Sequence, residues 1–230
     1  MFLDLDGTIL DLAARPDLVT APPGLVAILR DIERVLGGAL AIVSGRPIVQ
    51  IDALLAPWRP VAAGEHGAFC RLPSGRVESA DPPLLPMEWR KTLAGLAIRY
   101  RGVLVEQKES AIAVHYRLAP GTGPDLQAIL LDLIGASGEF VLTPADMAYE
   151  IRPRGIDKGL ALRRLMRVAP LAGRVPVFIG DDVTDEDGMR AAHAMGGLGI
   201  QVGACFAEGA AGVRAWLTAV LAQLRAGELR

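Results

Sequence analysis

Two short acidic segments, far apart in the sequence, carry the residues best suited to chemistry. Asp4-Leu5-Asp6-Gly7-Thr8 lies near the start of the chain, and Gly180-Asp181-Asp182-Val183-Thr184-Asp185 lies near its end. Each follows an apolar stretch of strand length. Because ligands bind beyond the carboxyl ends of strands in an open parallel sheet, we expect folding to bring the two segments together. Converging carboxylates need a cation, and Mg²⁺, a hard ion that takes oxygen ligands, is the predicted cofactor.

The first acidic segment has the residue types that phosphoryl transfer requires. Asp4 and Asp6 are separated by one residue, so an extended backbone places both on the same side of a strand. One carboxylate can attack phosphorus and form an aspartyl-phosphate. The other can protonate the leaving oxygen and then accept a proton from water. Gly7 permits a tight turn, and Thr8 offers a hydroxyl and an N–H to a phosphoryl oxygen. An ordinary polar turn is the competing interpretation.

Further polar residues at predicted strand and helix ends fit the same chemistry. Ser44 ends a buried strand and can donate to a phosphoryl oxygen, although an N-cap role fits it equally well. Lys158 begins a predicted helix, where backbone N–H groups favour an anion, but by itself it also fits a surface lysine. Asp181 ends another strand and suits a metal ligand. Asp182 and Asp185 suit the orientation of that ligand or of Lys158.

Alternating strands and helices must position these residues. Apolar spacing predicts this alternation at both ends of the chain, and it is typical of an α/β fold with a doubly wound parallel sheet. The predicted strands cover residues 2–5, 40–43, 61–63, 175–179 and 197–202, and the predicted helices cover 24–36, 47–55, 157–168, 184–194 and 209–225.

The middle of the chain follows a different order. Proline-rich Asp81-Pro82-Pro83 predicts a linker. Beyond it the pattern predicts an α+β layer with an antiparallel sheet. Its predicted elements are a helix at 87–100, strands at 103–107 and 111–117, a helix at 125–135, and strands at 140–143 and 147–152. We therefore predict a catalytic core of residues 1–81 and 154–230, with an α+β domain inserted at 82–153.

Composition excludes several classes of function. The chain has 230 residues, 51% of them hydrophobic, and a formal net charge of -2, which favours neither nucleic acid nor an anionic membrane as a partner. Its apolar runs have strand length, and its acidic start differs from a signal peptide, so we expect a cytoplasmic protein. Cys70 and Cys205 are expected to be free thiols. The sequence leaves the oligomeric state open, and a monomer is compatible with it.

The motifs resemble, in order, those of the haloacid dehalogenase superfamily of phosphatases. Asp4-Leu5-Asp6-Gly7-Thr8, Ser44, Lys158 and Gly180-Asp181-Asp182 carry this resemblance, and the insertion falls where the superfamily places its C2-type cap. Nearly the whole chain is also similar to the trehalose-6-phosphate phosphatase family. The segments behind that similarity are 41–46, 64–68, 106–108, 115–117, 150–159 and 180–187.

This resemblance implies a Mg²⁺-dependent phosphatase that releases trehalose and phosphate from trehalose 6-phosphate. It implies Asp4 as nucleophile, Asp6 as acid and base, and Ser44 and Lys158 as groups that hold the phosphoryl. The implied metal ligands are the Asp4 carboxylate, the Asp6 main-chain carbonyl and Asp181. The residues implied for substrate binding, beside Thr8, are Glu65, Glu106, Lys108 and Glu150.

Other interpretations remain open at this point. A phosphatase for another sugar phosphate, of the sucrose 6-phosphate or mannosyl-glycerate phosphate type, would share the core motifs and differ in the cap. A phosphate-accepting signalling receiver also pairs acids with a lysine, but it needs no inserted domain and leaves Asp6-Gly7-Thr8 unexplained. A non-catalytic sugar-phosphate sensor would need neither Asp4 nor Asp6. The roles of His66 and His115 stay open, and His193 is expected at the surface.

Overall fold

The computed structural model describes residues 1–226, which divide into two compact units. The first contains Met1–Ala80 and the chain from Asp157 onward, and the second is Asp81–Ile156. The sequence analysis placed the second junction earlier, after residue 153. The second unit extends to Ile156 because Arg154 N donates to Glu139 O, and Arg152 Nη1 donates to Ile156 O.

The strands and helices follow the chain in this order. The strands are β1 (Phe2–Leu3), β2 (Ala41–Val43), β3 (Val61–Gly64), β4 (Phe69–Arg71), β5 (Val77–Ser79), β6 (Leu104–Gln107), β7 (Ile112–His115), β8 (Phe140–Ala145), β9 (Ala148–Pro153), β10 (Val177–Gly180) and β11 (Leu198–Gln201). The α-helices are α1 (Leu25–Val35), α2 (Ile48–Leu54), α3 (Met87–Arg99), α4 (Gly123–Ile134), α5 (Lys158–Leu165), α6 (Glu186–Ala194), α7 (Val202–Cys205) and α8 (Ala210–Ala226).

The first unit is built on a 7-stranded sheet of order β11-β10-β1-β2-β3-β4-β5. Strands β11 to β3 pair in parallel, and β4 and β5 continue the sheet in antiparallel pairing. The parallel part confirms the predicted α/β fold class. The antiparallel extension was not predicted, because the short turn-rich segment after β3 lacks a long apolar run.

Helices cover both faces of this sheet because side chains alternate along each strand. On β1, the middle strand of the parallel part, Phe2 packs into the cluster that contains Leu162 of α5 and Ala192 of α6. Its neighbour Leu3 packs into the opposite cluster, which contains Leu29 of α1 and Leu217 of α8. The buried central strand therefore ends between two helical layers, at the position of Asp4.

The second unit has a 4-stranded antiparallel sheet of order β6-β7-β9-β8. One sheet face, which includes Ile112 and Ile151, packs against Leu93 of α3 and against Leu126 of α4. The predicted helix-strand-strand-helix-strand-strand order therefore matches the elements observed in this unit.

Two further observations concern the described residues as a whole. Within residues 1–226, every helix is too short or too polar to cross a bilayer. Cys70 is buried and Cys205 is exposed, and both are free thiols as predicted.

Candidate active site

Asp4 stands at the end of β1, in the centre of the parallel sheet. Its backbone N–H donates to Ile179 O at 3.0 Å, and its carboxyl group is almost completely buried. The Asp4 Oδ1 atom accepts from Lys158 Nζ at 2.7 Å, and Asp4 Oδ2 lies 3.1 Å from Thr8 Oγ1. Burial raises the pKa of Asp4 well above its usual range, although Lys158 opposes that shift. The carboxylate therefore needs a nearby cation to stay ionised.

Lys158, the first residue of α5, supplies one such cation. Asp157 caps this helix, since its side chain accepts from Leu160 N at 2.7 Å. The buried Lys158 ammonium donates to Asp4 Oδ1 and, at 2.6 Å, to Asp185 Oδ1. Burial alone would lower the pKa of Lys158, but the charges of Asp185 and Asp4 outweigh it and raise the pKa. Lys158 is therefore held as an ammonium ion.

Asp185 shapes the loop that follows β10. It has no exposed surface, and its Oδ2 atom accepts from Asp181 N at 3.1 Å and from Asp182 N at 3.0 Å. Gly180 allows this close approach, because a Cβ there would lie 2.2 Å from Asp185 Cγ. Both Asp185 oxygens are thus occupied by N–H donors. Asp185 orients Lys158 and the loop, as one of the sequence-based interpretations held.

Asp181 faces the first acidic segment across a turn. Its Oδ1 atom accepts from Thr8 Oγ1 at 2.8 Å. Gly7 has φ near 80°, and a Cβ there would lie 2.0 Å from Asp181 Oδ2, so this turn needs glycine. Burial raises the pKa of Asp181 to about 6, while the Thr8 hydrogen bond opposes the shift. The structure therefore brings together the two acidic segments.

The acidic cluster has the composition of a site for a hard cation. Carboxylate oxygens of Asp4, Asp181 and Asp185 lie within 4.8 Å of one another. These three carboxylates are only partly balanced by the one ammonium group of Lys158, which donates hydrogen bonds to Asp4 and Asp185. Burial is the main cause of the raised pKa values of Asp4 and Asp181, and the negative charge of the neighbouring carboxylates adds to it. The residues present therefore fit a divalent ion with oxygen ligands.

Ser44 lies on the strand next to Asp4. Leu3 pairs with Ile42, so the register places Ser44 one residue beyond the position opposite Asp4. The residue is buried, and its Oγ atom accepts from Arg46 N at 3.2 Å. That bond leaves the hydroxyl hydrogen of Ser44 available to another acceptor.

Asp6 is bound by a residue to which the sequence analysis gave no role. Arg46 Nε donates to Asp6 Oδ2 at 2.6 Å, and Arg46 Nη2 donates to Asp6 Oδ1 at 2.7 Å. Arg46 follows Ser44-Gly45 in the sequence and lies in segment 41–46, one of the segments that carry the family resemblance. Its position two residues after Ser44 was the only available signal, and spacing alone does not show which carboxylate it reaches.

Glu65 and His66 follow β3 in an unusual backbone conformation. Both are buried, with φ of 48° and 59°, and left-handed geometry is uncommon for residues other than glycine. His66 N donates to Ser44 O at 3.0 Å, and the His66 ring lies where a side chain on Gly45 would be. Strained backbone held by its surroundings often marks a functional site. Glu65 is the one predicted substrate-binding residue of this unit beside Thr8.

The other predicted substrate residues share one face of the sheet in the second unit. Glu106 pairs with Ala113, which pairs with Glu150, so these side chains project from the same face. Lys108 Nζ donates to Glu150 Oε1 at 2.6 Å, in a pair that is nearly buried. His115 Nε2 lies 3.1 Å from Glu106 Oε2. This polar face is opposite the apolar face that α3 and α4 cover.

A family model identifies the chain. The model described as "Trehalose-phosphatase" matches residues 2–216, which is most of the sequence. The chain belongs to the trehalose-phosphatase family. It is therefore an enzyme, a phosphoric monoester hydrolase, as the sequence motifs predicted.

Individual relatives agree with this assignment. The chain is 41% identical over 204 residues to a "Probable trehalose-phosphate phosphatase" of Sinorhizobium fredii, covering 88% of this chain and 77% of the relative. It is 36% identical over 203 residues to the "Trehalose-6-phosphate phosphatase" of Escherichia coli K12, covering 88% and 76%. A crystal structure of a "trehalose-6-phosphate phosphatase related protein" has the same fold, with a TM-score of 0.79, 22% identity and 99% of both chains covered.

Proposed function

We propose that this enzyme hydrolyses trehalose 6-phosphate to trehalose and phosphate. The names of its relatives support the substrate, because the protein of Sinorhizobium fredii and that of Escherichia coli are both called trehalose phosphate phosphatases. The observation that carries the mechanism is the buried Asp4 carboxylate held between Lys158 Nζ and Thr8 Oγ1. A carboxylate fixed and charge-balanced in this way suits attack on a phosphate monoester.

The reaction would take place in two steps on the first unit. An Asp4 oxygen attacks phosphorus, the bond from phosphorus to the sugar oxygen breaks, and Asp6 gives that oxygen a proton. Asp6 then takes a proton from water as the water oxygen attacks phosphorus and releases Asp4. Lys158 and Ser44 bind the phosphoryl oxygens, and the Thr8 hydroxyl turns from Asp181 to donate to an oxygen on the same side. Phosphoryl transfer depends mostly on such positioning and charge neutralisation.

Mg²⁺ is the proposed cofactor. The Asp4 and Asp181 carboxylates would hold it together with the main-chain carbonyl of Asp6. Asp185 is not included, because its proposed task is to hold the Lys158 ammonium and the backbone N–H groups of Asp181 and Asp182. When bound, Mg²⁺ neutralises negative charge on the carboxylates and the phosphoryl group.

The second unit is proposed to be the cap that selects the sugar. Its polar sheet face presents Glu106, Lys108 and Glu150, and Glu65 of the first unit is proposed to share their role. Sugars offer many hydroxyls and little apolar surface, so charged hydrogen-bonding groups recognise them well. With no predicted nucleic-acid or membrane partner, a small sugar phosphate is the proposed ligand, and the proposed location is the cytoplasm.

Phosphate release from a panel of sugar phosphates tests this function. The panel contains trehalose 6-phosphate, sucrose 6-phosphate, mannosyl-glycerate phosphate and glucose 6-phosphate, each with Mg²⁺ and with a chelator. We expect kcat/KM to be highest for trehalose 6-phosphate and to vanish with the chelator. If kcat/KM is higher for another sugar phosphate of the panel, that compound is the preferred substrate and trehalose 6-phosphate is not. No hydrolysis of any member by a folded, Mg²⁺-supplied protein would overturn the proposal.

A further inference from the structure

Arg46 is bound to Asp6 through a two-pronged ion pair in the first unit. The Nε and Nη2 atoms of Arg46 lie 2.6 and 2.7 Å from the two carboxylate oxygens of Asp6. The Arg46 side chain is 11% exposed and that of Asp6 is 29% exposed. Bidentate arginine–carboxylate pairs fix both the position and the plane of the carboxylate. This geometry differs from a surface ion pair, which restricts its partners little.

The guanidinium of Arg46 is itself held from two other sides. Its Nη2 atom also donates to Pro16 O at 3.1 Å, and its Nη1 atom donates to Gln50 Oε1 at 3.2 Å. Pro16 begins a short 3-10 helix, and Gln50 lies in α2. The donors of the planar group are thus distributed over three chain segments. An arginine held in this way has little freedom to rotate.

The backbone of Arg46 belongs to the same assembly. Arg46 N donates to Ser44 Oγ, and Arg46 O accepts from Glu65 N at 3.0 Å. The base of the side chain is therefore fixed between the ends of β2 and β3. Arg46 is therefore held at its backbone, along its buried side chain and at its guanidinium group, and it fixes the position of the Asp6 carboxylate.

We propose that Arg46 is a positioning residue that holds the Asp6 carboxyl group for proton transfer to the leaving oxygen. This proposal rests on the acid role that the proposed function gives to Asp6. The proton moves from Asp6 to the bridging oxygen as the bond to phosphorus breaks, and that oxygen keeps the bonding electron pair. The Asp6 carboxylate left behind is stabilised by the charge of Arg46. Arg46 acts through Asp6 and makes no contact with the phosphoryl group in this mechanism.

Lysine cannot replace arginine in this arrangement. The lysine ammonium is a single point charge, so it cannot donate along two parallel directions to Asp6 and also reach Pro16 O and Gln50. Without the fork, Asp6 rotates about its side-chain bonds into the solvent-exposed part of its environment. Even a small displacement of the acid group strongly lowers the rate of proton transfer. Arg46→Lys keeps the positive charge but removes the pair of parallel hydrogen bonds to Asp6, and it is therefore the decisive variant.

The test compares leaving groups that differ in their need for an acid. Sugar phosphates have poor leaving groups and need the proton, whereas nitrophenyl phosphate does not. We expect Arg46→Lys and Arg46→Ala to lower kcat for trehalose 6-phosphate by about 10- to 100-fold, as a general acid contributes at least that much. The loss for nitrophenyl phosphate should be less than about fivefold, and KM should change little. Equal losses for both substrates would overturn the proposal.

A double-mutant cycle with Asp6→Asn gives a second readout. If Arg46 acts through Asp6, adding Arg46→Lys to Asp6→Asn should lower kcat no further, within about twofold. An independent further loss of about tenfold would instead assign Arg46 a separate task and contradict the proposal. Circular dichroism establishes that each variant is folded, and the cycle can be completed with Arg46→Lys alone if Arg46→Ala does not fold.

A matched control comes from another ion pair of the same unit. Arg59 also binds an aspartate, since its Nε and Nη2 atoms donate to Asp52 Oδ2, but its side chain is 73% exposed. Arg59→Lys should leave both substrates unaffected. The outcomes also separate this proposal from the proposed function. If the parent enzyme ignores trehalose 6-phosphate, that function fails, while the Arg46 comparison still proceeds with whichever alkyl phosphate the parent hydrolyses.

Discussion

Lys158 Nζ lies 2.6 Å from Oδ1 of Asp185, a residue with no exposed surface. The other Asp185 oxygen binds the backbone N–H groups of Asp181 and Asp182. One carboxylate therefore sets both the position of the lysine and the shape of the loop that carries Asp181. The lysine in turn contacts Asp4 Oδ1. The relative positions of the proposed nucleophile Asp4, the Lys158 ammonium and the acidic loop thus depend on a residue that is proposed to touch no substrate.

Asp185→Asn should therefore impair both stability and activity. The amide loses one charged interaction with Lys158 and presents an N–H where the loop supplies donors. We expect the free energy of unfolding to fall by about 2–4 kcal/mol, as when a buried ion pair loses one partner. We expect kcat to fall at least tenfold. Chemical denaturation and phosphate release measure the two effects.

The adjacent Glu186 provides the control for Asp185. Its side chain is 59% exposed and pairs with Arg190 within α6. Glu186→Gln should change the free energy of unfolding by less than about 0.5 kcal/mol. An Asp185→Asn enzyme as stable and as active as Glu186→Gln would contradict the role given to Asp185.

Asp4→Asn should abolish turnover and preserve the fold. An amide is not a nucleophile toward phosphorus and binds Mg²⁺ weakly, so we expect kcat to fall by at least about 1000-fold. Because burial raises the pKa of Asp4, its charge is unfavourable in the metal-free enzyme. The variant should therefore be as stable as the parent, or slightly more so, in a chelator. Turnover within tenfold of the parent would remove Asp4 from the mechanism.

Asp181 should make the metal-free enzyme less stable as the pH rises. The pKa of Asp181 is about 6 in the folded state, whereas that of an exposed aspartate in the unfolded chain is 3.8. Between these values the unfolded chain releases a proton that the folded chain retains, so stability falls as pH rises from about 4 to about 6. The difference corresponds to at most about 3 kcal/mol, and partial exposure of Asp181 reduces it to about 1–2 kcal/mol.

Urea denaturation in a chelator, at pH values from 4 to 7, measures the Asp181 contribution. Asp181→Asn should flatten the decline in that range and leave the neutral-pH protein more stable than the parent. Addition of Mg²⁺ should restore stability to the parent at pH 7 and have less effect on the variant. A parent whose stability rises through this range by the same amount as the variant would show that Asp181 does not carry the expected proton.

Activity should require Mg²⁺ and should return after chelation when Mg²⁺ is restored. Ca²⁺ should replace it poorly, because its larger and looser coordination shell positions oxygen ligands differently. Phosphate release in metal-stripped buffer with each ion added back measures this. Full activity of a folded enzyme in excess chelator would refute the metal assignment. Restoration by Ca²⁺ equal to that by Mg²⁺ would refute the proposed coordination.

The sequence predicted that polar residues at the ends of strands and helices lie close together. Asp4, Ser44 and Asp181 each follow an apolar strand, and Lys158 follows the cap residue Asp157. In a parallel sheet the carboxyl ends of the strands lie at one edge, so residues that follow the strands are expected close together there. The structure brings Asp4, Lys158, Thr8 and Asp181 into direct contact accordingly.

The remaining features depend on side-chain reach and on backbone strain. Arg46 has a long side chain with several acceptors within its range, and only tertiary packing selects Asp6. The left-handed backbone of Glu65 and His66 is similarly set by its surroundings, since positive φ is uncommon for residues other than glycine. Strands β4 and β5 were missed because they are three residues each and pair with the sheet edge rather than forming an apolar run. In each case, the structure depends on a contact with residues distant in the sequence, and local residue preferences do not predict it.

The second unit should determine which sugar phosphate is accepted. Glu106 and Glu150 stand in one row across the sheet, on the face opposite α3 and α4. A hydrogen bond to a charged group contributes about 1.5–3 kcal/mol, so each residue should matter by about tenfold to a hundredfold. Alanine at either position should lower kcat/KM for trehalose 6-phosphate by that factor. Hydrolysis of nitrophenyl phosphate should change little, because a small aryl ester has no sugar hydroxyls to bind.

Two further variants separate recognition by this face from a loss of structure. Glu150→Ala leaves the nearly buried Lys108 without its carboxylate partner, so Glu150→Gln, which keeps the side-chain volume, must be measured beside it. Glu88 lies exposed in the first turn of α3, and Glu88→Ala should leave both substrates unaffected. Selective loss for trehalose 6-phosphate in Glu106→Ala and Glu150→Gln supports sugar recognition by the polar face. Parallel loss for both substrates would make these residues structural and would remove the main support for the trehalose-specific assignment of the cap.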